Sequence, residues 1–143
     1  MFYGTFNHAI DAKGRTSLPA KFREALVAAG EPKVFLAPSP VWKALVLRPL
    51  SEWKRLEERV MQASPFDKKA QRTIQRFIST AHDLDLDDHG RVLVPPNLRA
   101  FAGLTKDVIW SGNGRDILLW DRATYDAEMS ADMGPDDVKD FFA

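Results

Sequence analysis

The sequence contains no cysteine among its 143 residues. A disulfide scaffold and thiolate chemistry are therefore excluded, and a reducing compartment, by default the cytoplasm, is the expected setting. No apolar run approaches the length of a membrane span. The opening "MFYGTFNHAID" has neither a basic leader nor an apolar signal core, so these residues are expected to belong to the fold. An excess of charge is also missing: 20 basic residues balance 20 acidic ones. Any polyanionic partner must then be met by a local patch rather than by the field of the whole molecule. Neither a Gly-x-Ser-x-Gly nucleophile elbow nor a Walker-type phosphate loop is present, which argues against catalysis.

What is there suits a globular protein, with 45% apolar and 28% charged residues. The length fits one ordinary domain or two very small ones, and two halves of this size would have to share a core. Charge is distributed unevenly. Lys13, Arg15, Lys21 and Arg23 outnumber Asp11 and Glu24 near the start, whereas from residue 126 onward six acids face Lys139 alone. The carboxyl-terminal segment is expected to be solvated and remote from nucleic acid.

One pattern occurs twice. "IDAKGRTSLPAKFR" carries Asp11, Gly14, Arg15, Pro19 and Arg23, and "LDLDDHGRVLVPPNLR" carries Asp87, Gly90, Arg91, Pro95 and Arg99 in the same register. In each, an extended segment reaches an Asp that can accept local backbone N–H groups and a Gly that can take positive φ, so the chain reverses and resumes as a strand. The proline then opens a helix. Phe22, Ala25, Leu26 and Ala29 predict one apolar face ending at Gly30, and Leu98, Phe101 and Ala102 predict its counterpart ending at Gly103. Further on, "KVFL" and "ALVL" match "DVIW" and "DILL" as two hairpins, the second with a "SGNG" turn. Ser51 and Asp121 are expected as N-caps of following helices, with Trp53 and Tyr125 at equivalent places.

Between the copies, "SPFDKKAQRTIQRFISTA" predicts a connecting helix with a Ser64–Asp67 capping box. Phe66, Ala70, Ile74, Phe77 and Ile78 form its apolar stripe, expected to serve core or a subunit interface. The cluster "HDLDLDDHG" alternates acids between His82 and His89. It fails the calcium-loop pattern, with Asp88 at the sixth position and Val94 at the twelfth, and reads as a solvent-facing strand; a metal-dependent enzyme would require it to hold an ion. No metal site and no cofactor are expected.

The repeated "DAKGRTSLPAKFRE" and "DDHGRVLVPPNLRAFAGL", with the opening stretch, resemble the MraZ family, built from two tandem SpoVT-AbrB units. The resemblance covers nearly all of the chain except the acidic tail. It implies an α+β fold in which two AbrB-type, swapped-hairpin-like repeats form a pseudo-twofold β-rich core with flanking helices. The expected organisation is a first repeat at 1–53, a connecting helical segment at 54–80, a second repeat at 81–125 and an acidic tail at 126–143. It further implies a ring-shaped homo-oligomer, without membrane attachment, that binds double-stranded DNA at repeated promoter elements upstream of the division and cell-wall gene cluster, in the cytoplasm at the nucleoid. Carried over by position, Lys13, Arg15 and Arg91 contact DNA, while Asp11, Gly14, Asp87 and Gly90 orient the turns. His89 stands where the first copy has Lys13, and Asp83, Asp85 and Asp88 surround it. The first copy is therefore expected to dominate phosphate contact, with Arg91 turned to packing or subunit pairing. An antitoxin-like or scaffold module holding a protein partner is the alternative.

Overall fold

The computed structural model describes residues 1–31, 33–86 and 89–143. The first repeat supplies β1 (Thr5–Ala9), β2 (Arg15–Ser17), α1 (Ala20–Ala28), β3 (Lys33–Pro38), β4 (Leu45–Pro49) and α2 (Leu50–Gln62). After α3 (Lys68–Phe77), the same order returns as β5 (His82–Asp85), β6 (Arg91–Leu93), α4 (Pro96–Ala102), β7 (Asp107–Gly112), β8 (Ile117–Asp121) and α5 (Arg122–Met129). A last helix, α6 (Pro135–Phe142), follows.

The repeats exchange strands. Six strands form an antiparallel sheet in the order β1-β7-β8-β4-β3-β5, so the opening strand of each repeat pairs with the hairpin of the other. The two hairpins meet at β4 and β8, where Val46 lies opposite Leu118. β2 and β6 form a separate two-stranded ribbon. The α+β class and the duplication expected from the motif are both realised.

The central strands read as nearly continuous apolar runs because both faces of the sheet are covered. Leu45, Leu47, Trp110, Ile117 and Leu119 pack on one side with Phe22 and Leu26 of α1, Leu98 and Ala102 of α4, and Val92 of the ribbon. Val46, Ile109, Leu118 and Trp120 face the other side, under Trp42 and Tyr125. Phe35 stacks on Trp53 of α2 with ring centroids 4.7 Å apart. Each half thus contributes side chains to a core that it could not close alone.

Several local expectations need correction. Pro19 is the N-cap of α1 rather than its first residue, while in the second copy Pro95 caps and Pro96 takes that first position. The stripe of α1 is narrower than its spacing predicts: Phe22 and Leu26 are buried but Ala29 is exposed, as is Phe101 on α4. Ser51 lies inside α2, whose cap is Pro49, because the helix starts directly where β4 ends. Asp121 does cap α5, yet its carboxylate accepts instead from Thr105 N and Oγ1, at 3.1 and 2.9 Å. Asp67, not Ser64, caps α3, accepting from the backbone N–H of Lys69 and Ala70; a carboxylate is the stronger acceptor for those donors. Phe66 precedes that cap and is 94% exposed, whereas Ala70, Ile74, Phe77 and Ile78 are half-buried. The acidic tail is solvated as expected, but it carries α6. No helix among the described residues is long and apolar enough to cross a membrane.

Leu36 is fully buried and Phe101 is 38% exposed. Leu36→Ala should destabilise by about 2–5 kcal/mol, and Phe101→Ala by less, about 1 kcal/mol; urea unfolding followed by tryptophan fluorescence measures both.

Candidate nucleic-acid interface

The duplicated turn is built by its aspartate. In the first copy Asp11 Oδ1 accepts from the backbone N–H of Lys13 and Arg15 at 3.0 and 2.9 Å, and Oδ2 accepts from Arg15 Nε at 2.8 Å. The backbone closes around it, with Asp11 N–H donating to Arg15 O and Gly14 N–H to Asp11 O. The Arg15 backbone bond first, and its guanidinium next, hold the Asp11 carboxyl below the ordinary carboxylate value. An exposed ion pair of this kind adds little to stability. What it does is aim the guanidinium, since Nε is occupied and the two terminal nitrogens have no partner among the described residues.

Gly14 has φ +87°, and a Cβ there would lie 2.6 Å from Val94 O and 2.9 Å from Arg99 Nε. Gly90 has φ +67°, with Arg23 Cδ 2.8 Å from the same construction. Only glycine fits either place. The close approach also explains the second arginine of each motif: Arg99 covers the turn of the first copy, donating from Nη1 to Ala12 O at 3.2 Å, and Arg23 covers the turn of the second. Sequence reading singled these residues out as part of the repeat but gave them no task. Their partners lie in the other copy, and pairing between copies is not visible in a linear motif.

The ribbon sets the face. Arg15 pairs with Leu93, Thr16 with Val92 and Ser17 with Arg91. Thr16 and Val92 point inward and are buried, so alternation turns Arg15, Ser17, Arg91 and Leu93 outward, where all four are exposed. Arg15 and Arg91 are diagonal neighbours across the ladder, about 7–8 Å apart at the backbone. They line one open cleft with Ala9, Asp11, Thr16 and Ser17. His89 lines the adjoining hollow with Ser17 and Arg91. Lys13 is exposed at the tip of its turn and lines neither. Gly90 occupies its turn as Gly14 does, and Asp87 lies outside the described residues.

The alternating acids of β5 are otherwise engaged: Lys33 Nζ lies 3.2 Å from Asp83 and 4.0 Å from Asp85. The Lys33 hydrogen bond holds Asp83 below the ordinary value. Among the described residues no three His, Asp or Glu side chains converge as a metal ion would need.

Fold and face together define a duplicated, strand-exchanged α+β protein that presents a basic β-ribbon. Comparison with known proteins gives the family. Residues 1–77 and 77–133 each match the family model described as "MraZ protein, putative antitoxin-like". The chain is 62% identical over 142 residues to the transcriptional regulator MraZ of Anaeromyxobacter dehalogenans (strain 2CP-C), covering 99% of both chains. It is 41% identical to that of Acidovorax sp. (strain JS42), again over 99% of each, and 37% identical to that of Thiobacillus denitrificans, over 91% of this chain and 87% of the relative. The chain belongs to the MraZ family. Its role is that of a transcriptional regulator, not of an enzyme.

Gly14→Ala should cost about 1–3 kcal/mol, because strain and collision act together. Gly30→Ala also places alanine at positive φ but meets nothing within 4 Å; it should cost less, about 1 kcal/mol, and the difference in urea midpoint reads the collision alone. The Asp11 carboxyl has its folded pKa below its unfolded one, so its contribution is complete above the unfolded value and is lost as pH falls through the lower folded value. The amide resonances of Lys13 and Arg15 should therefore titrate together in NMR spectra, with a midpoint below the ordinary carboxylate range.

Proposed function

We propose that the chain is a sequence-specific, double-stranded DNA-binding regulator whose reading head is the β2–β6 ribbon. The observation that carries this is the outward, diagonal placement of Arg15 and Arg91, one from each repeat, on two antiparallel strands. The major groove admits a two-stranded ribbon, and guanidinium can bind phosphate bidentately or reach guanine O6 and N7. Lys13, on the turn beside the ribbon, is suited to phosphate contact. Asp11, Gly14, Asp87 and Gly90 orient the two turns. Leu93, 54% exposed beside the arginines, adds an apolar group able to meet a thymine methyl, and Ser17 adds a hydroxyl.

The net charge of zero leaves one ribbon a weak ligand for DNA. A ring of copies answers that by effective concentration, and it requires repeated elements in the promoter of the division and cell-wall gene cluster. On this reading 1–53 and 81–125 are the two DNA-reading repeats, 54–80 connects them, 126–143 stays off the DNA, and the protein works in the cytoplasm at the nucleoid. The wording of the family description supports a second reading, an antitoxin-like module; a stoichiometric small partner in the purified protein would favour it.

Arg15→Ala should weaken operator binding by about 1–3 kcal/mol per engaged subunit, roughly 5- to 150-fold, and lower the slope of log K against log salt by about one. Arg91→Ala should weaken it less, because His89 replaces a lysine beside it. Fluorescence anisotropy at two salt concentrations measures both, with circular dichroism and sedimentation confirming an unchanged fold and mass. Unchanged affinity in both variants contradicts the reading.

A further inference from the structure

A second cationic site lies on the opposite face of the sheet. Leu45 and Leu47 of β4 face the ribbon side, so Arg48 faces the other way, toward α2. There it lines a hollow of about 180 Å³ with Glu52, Arg55, Leu56 and Arg59 of α2 and Arg115 of the β7–β8 turn. Four guanidinium groups meet one lining carboxylate, with the charge of Asp116 also felt by Arg48. Arg55 is 3.5 Å from Glu52, while Arg48, half-buried, has no hydrogen-bond partner among the described residues. The buried polar groups of a folded protein are ordinarily paired.

The internal duplication provides a control. Counting back from Tyr125 and Trp53, Trp120 of β8 occupies the place of Arg48. Around Trp120 the hollow is closed by aromatic rings, Trp42 at 5.3 Å and Tyr125 at 5.5 Å. One fold position is thus sealed with aromatics in the second repeat and left open and cationic in the first. Packing does not require arginine there.

The complementary surface is α6. Asp136 and Asp140 are one turn apart on it, and Val138, Phe141 and Phe142 form the adjoining apolar face. Phe141 is 88% and Phe142 82% exposed, and every residue from 126 to 143 is exposed in the single chain. The hollow of its own chain is therefore not the seat of α6. A helix with two such phenylalanines gains by covering them, and Leu56 and Val60, half-buried on α2, offer apolar surface beside the arginines.

We propose that the arginine hollow of Arg48, Arg55, Arg59 and Arg115 receives the acidic helix α6 of a second copy of this chain. The contact is head to tail, because hollow and helix are different surfaces of one molecule, and such a contact closes into a ring when its rotation permits. The proposal rests on the assembly part of the reading above and leaves the ribbon uninvolved.

The test uses two full-length variants. Arg55→Glu/Arg59→Glu spoils the hollow and keeps the tail. Asp136→Lys/Asp140→Lys spoils the tail and keeps the hollow, and it leaves Asp137, which caps α6 by accepting from Gly134 N–H, in place. Each variant alone should need at least tenfold more protein for half-assembly in sedimentation velocity, with an unchanged circular dichroism spectrum. Mixed together, they should assemble again, because an intact tail meets an intact hollow at one contact and the two altered surfaces carry opposite charge at the other. Either variant keeping the wild-type mass, a loss confined to the hollow variant, or a mixture that does not assemble overturns the contact while the assembly itself stands. A wild-type chain that is monomeric at every concentration overturns the assembly reading and this contact together.

Discussion

Two reciprocal hydrogen bonds between buried residues tie the halves of this protein together. Leu18 N–H donates to Gly90 O, and Val94 N–H donates to Gly14 O, both at 2.7 Å. Each bond joins the end of a three-residue strand in one repeat to the glycine of the turn in the other. A two-stranded ribbon this short is marginal by itself. It persists because Thr16 and Val92 sit on a core to which both repeats contribute, and because Arg23 and Arg99 lie across the opposite turns. If the glycines could not approach so closely, neither the ribbon nor the outward display of Arg15 and Arg91 would form.

Duplication makes the two copies comparable position by position, and their differences mark where function departs from folding. The core positions agree in kind: Phe22 and Leu98, Leu26 and Ala102, Val46 and Leu118 are all buried. The surface positions do not. Lys13 becomes His89, Ser17 becomes Leu93, and Arg48 becomes Trp120. A protein that needed symmetry only for stability would have no physical reason to keep four arginines around one hollow and aromatic rings around its twin.

Much of this was legible in the sequence because the motif repeats. Asp, Gly, Arg and Pro at fixed spacing name a turn, a strand and a helix start, and two copies in register announce a duplication, while the pseudo-twofold core is what the resemblance to the family implies. Four things were less visible. Strand exchange cannot be read from apolar patterning, since β1 would look the same paired with either hairpin. Ser51 is not a cap because α2 starts directly where β4 ends, at Pro49, and Ser64 is not because Asp67 is the stronger acceptor. The arginine hollow draws on α2, β4 and a turn some 60 residues away from them, a convergence only the fold supplies. The roles of Arg23 and Arg99 were hidden for the same reason.

The central claim is spatial: DNA lies along the outer face of the β2–β6 ribbon and not along the α2 face. Because the chain has no cysteine, one can be placed at will. Ser17→Cys puts a thiol between Arg15 and Arg91, and Lys54→Cys puts one on exposed α2. Each labelled with a short photo-crosslinker and irradiated with operator duplex, the Ser17→Cys protein should crosslink to bases in the major groove and the Lys54→Cys protein should not. Crosslinking from Lys54→Cys with none from Ser17→Cys would contradict the account.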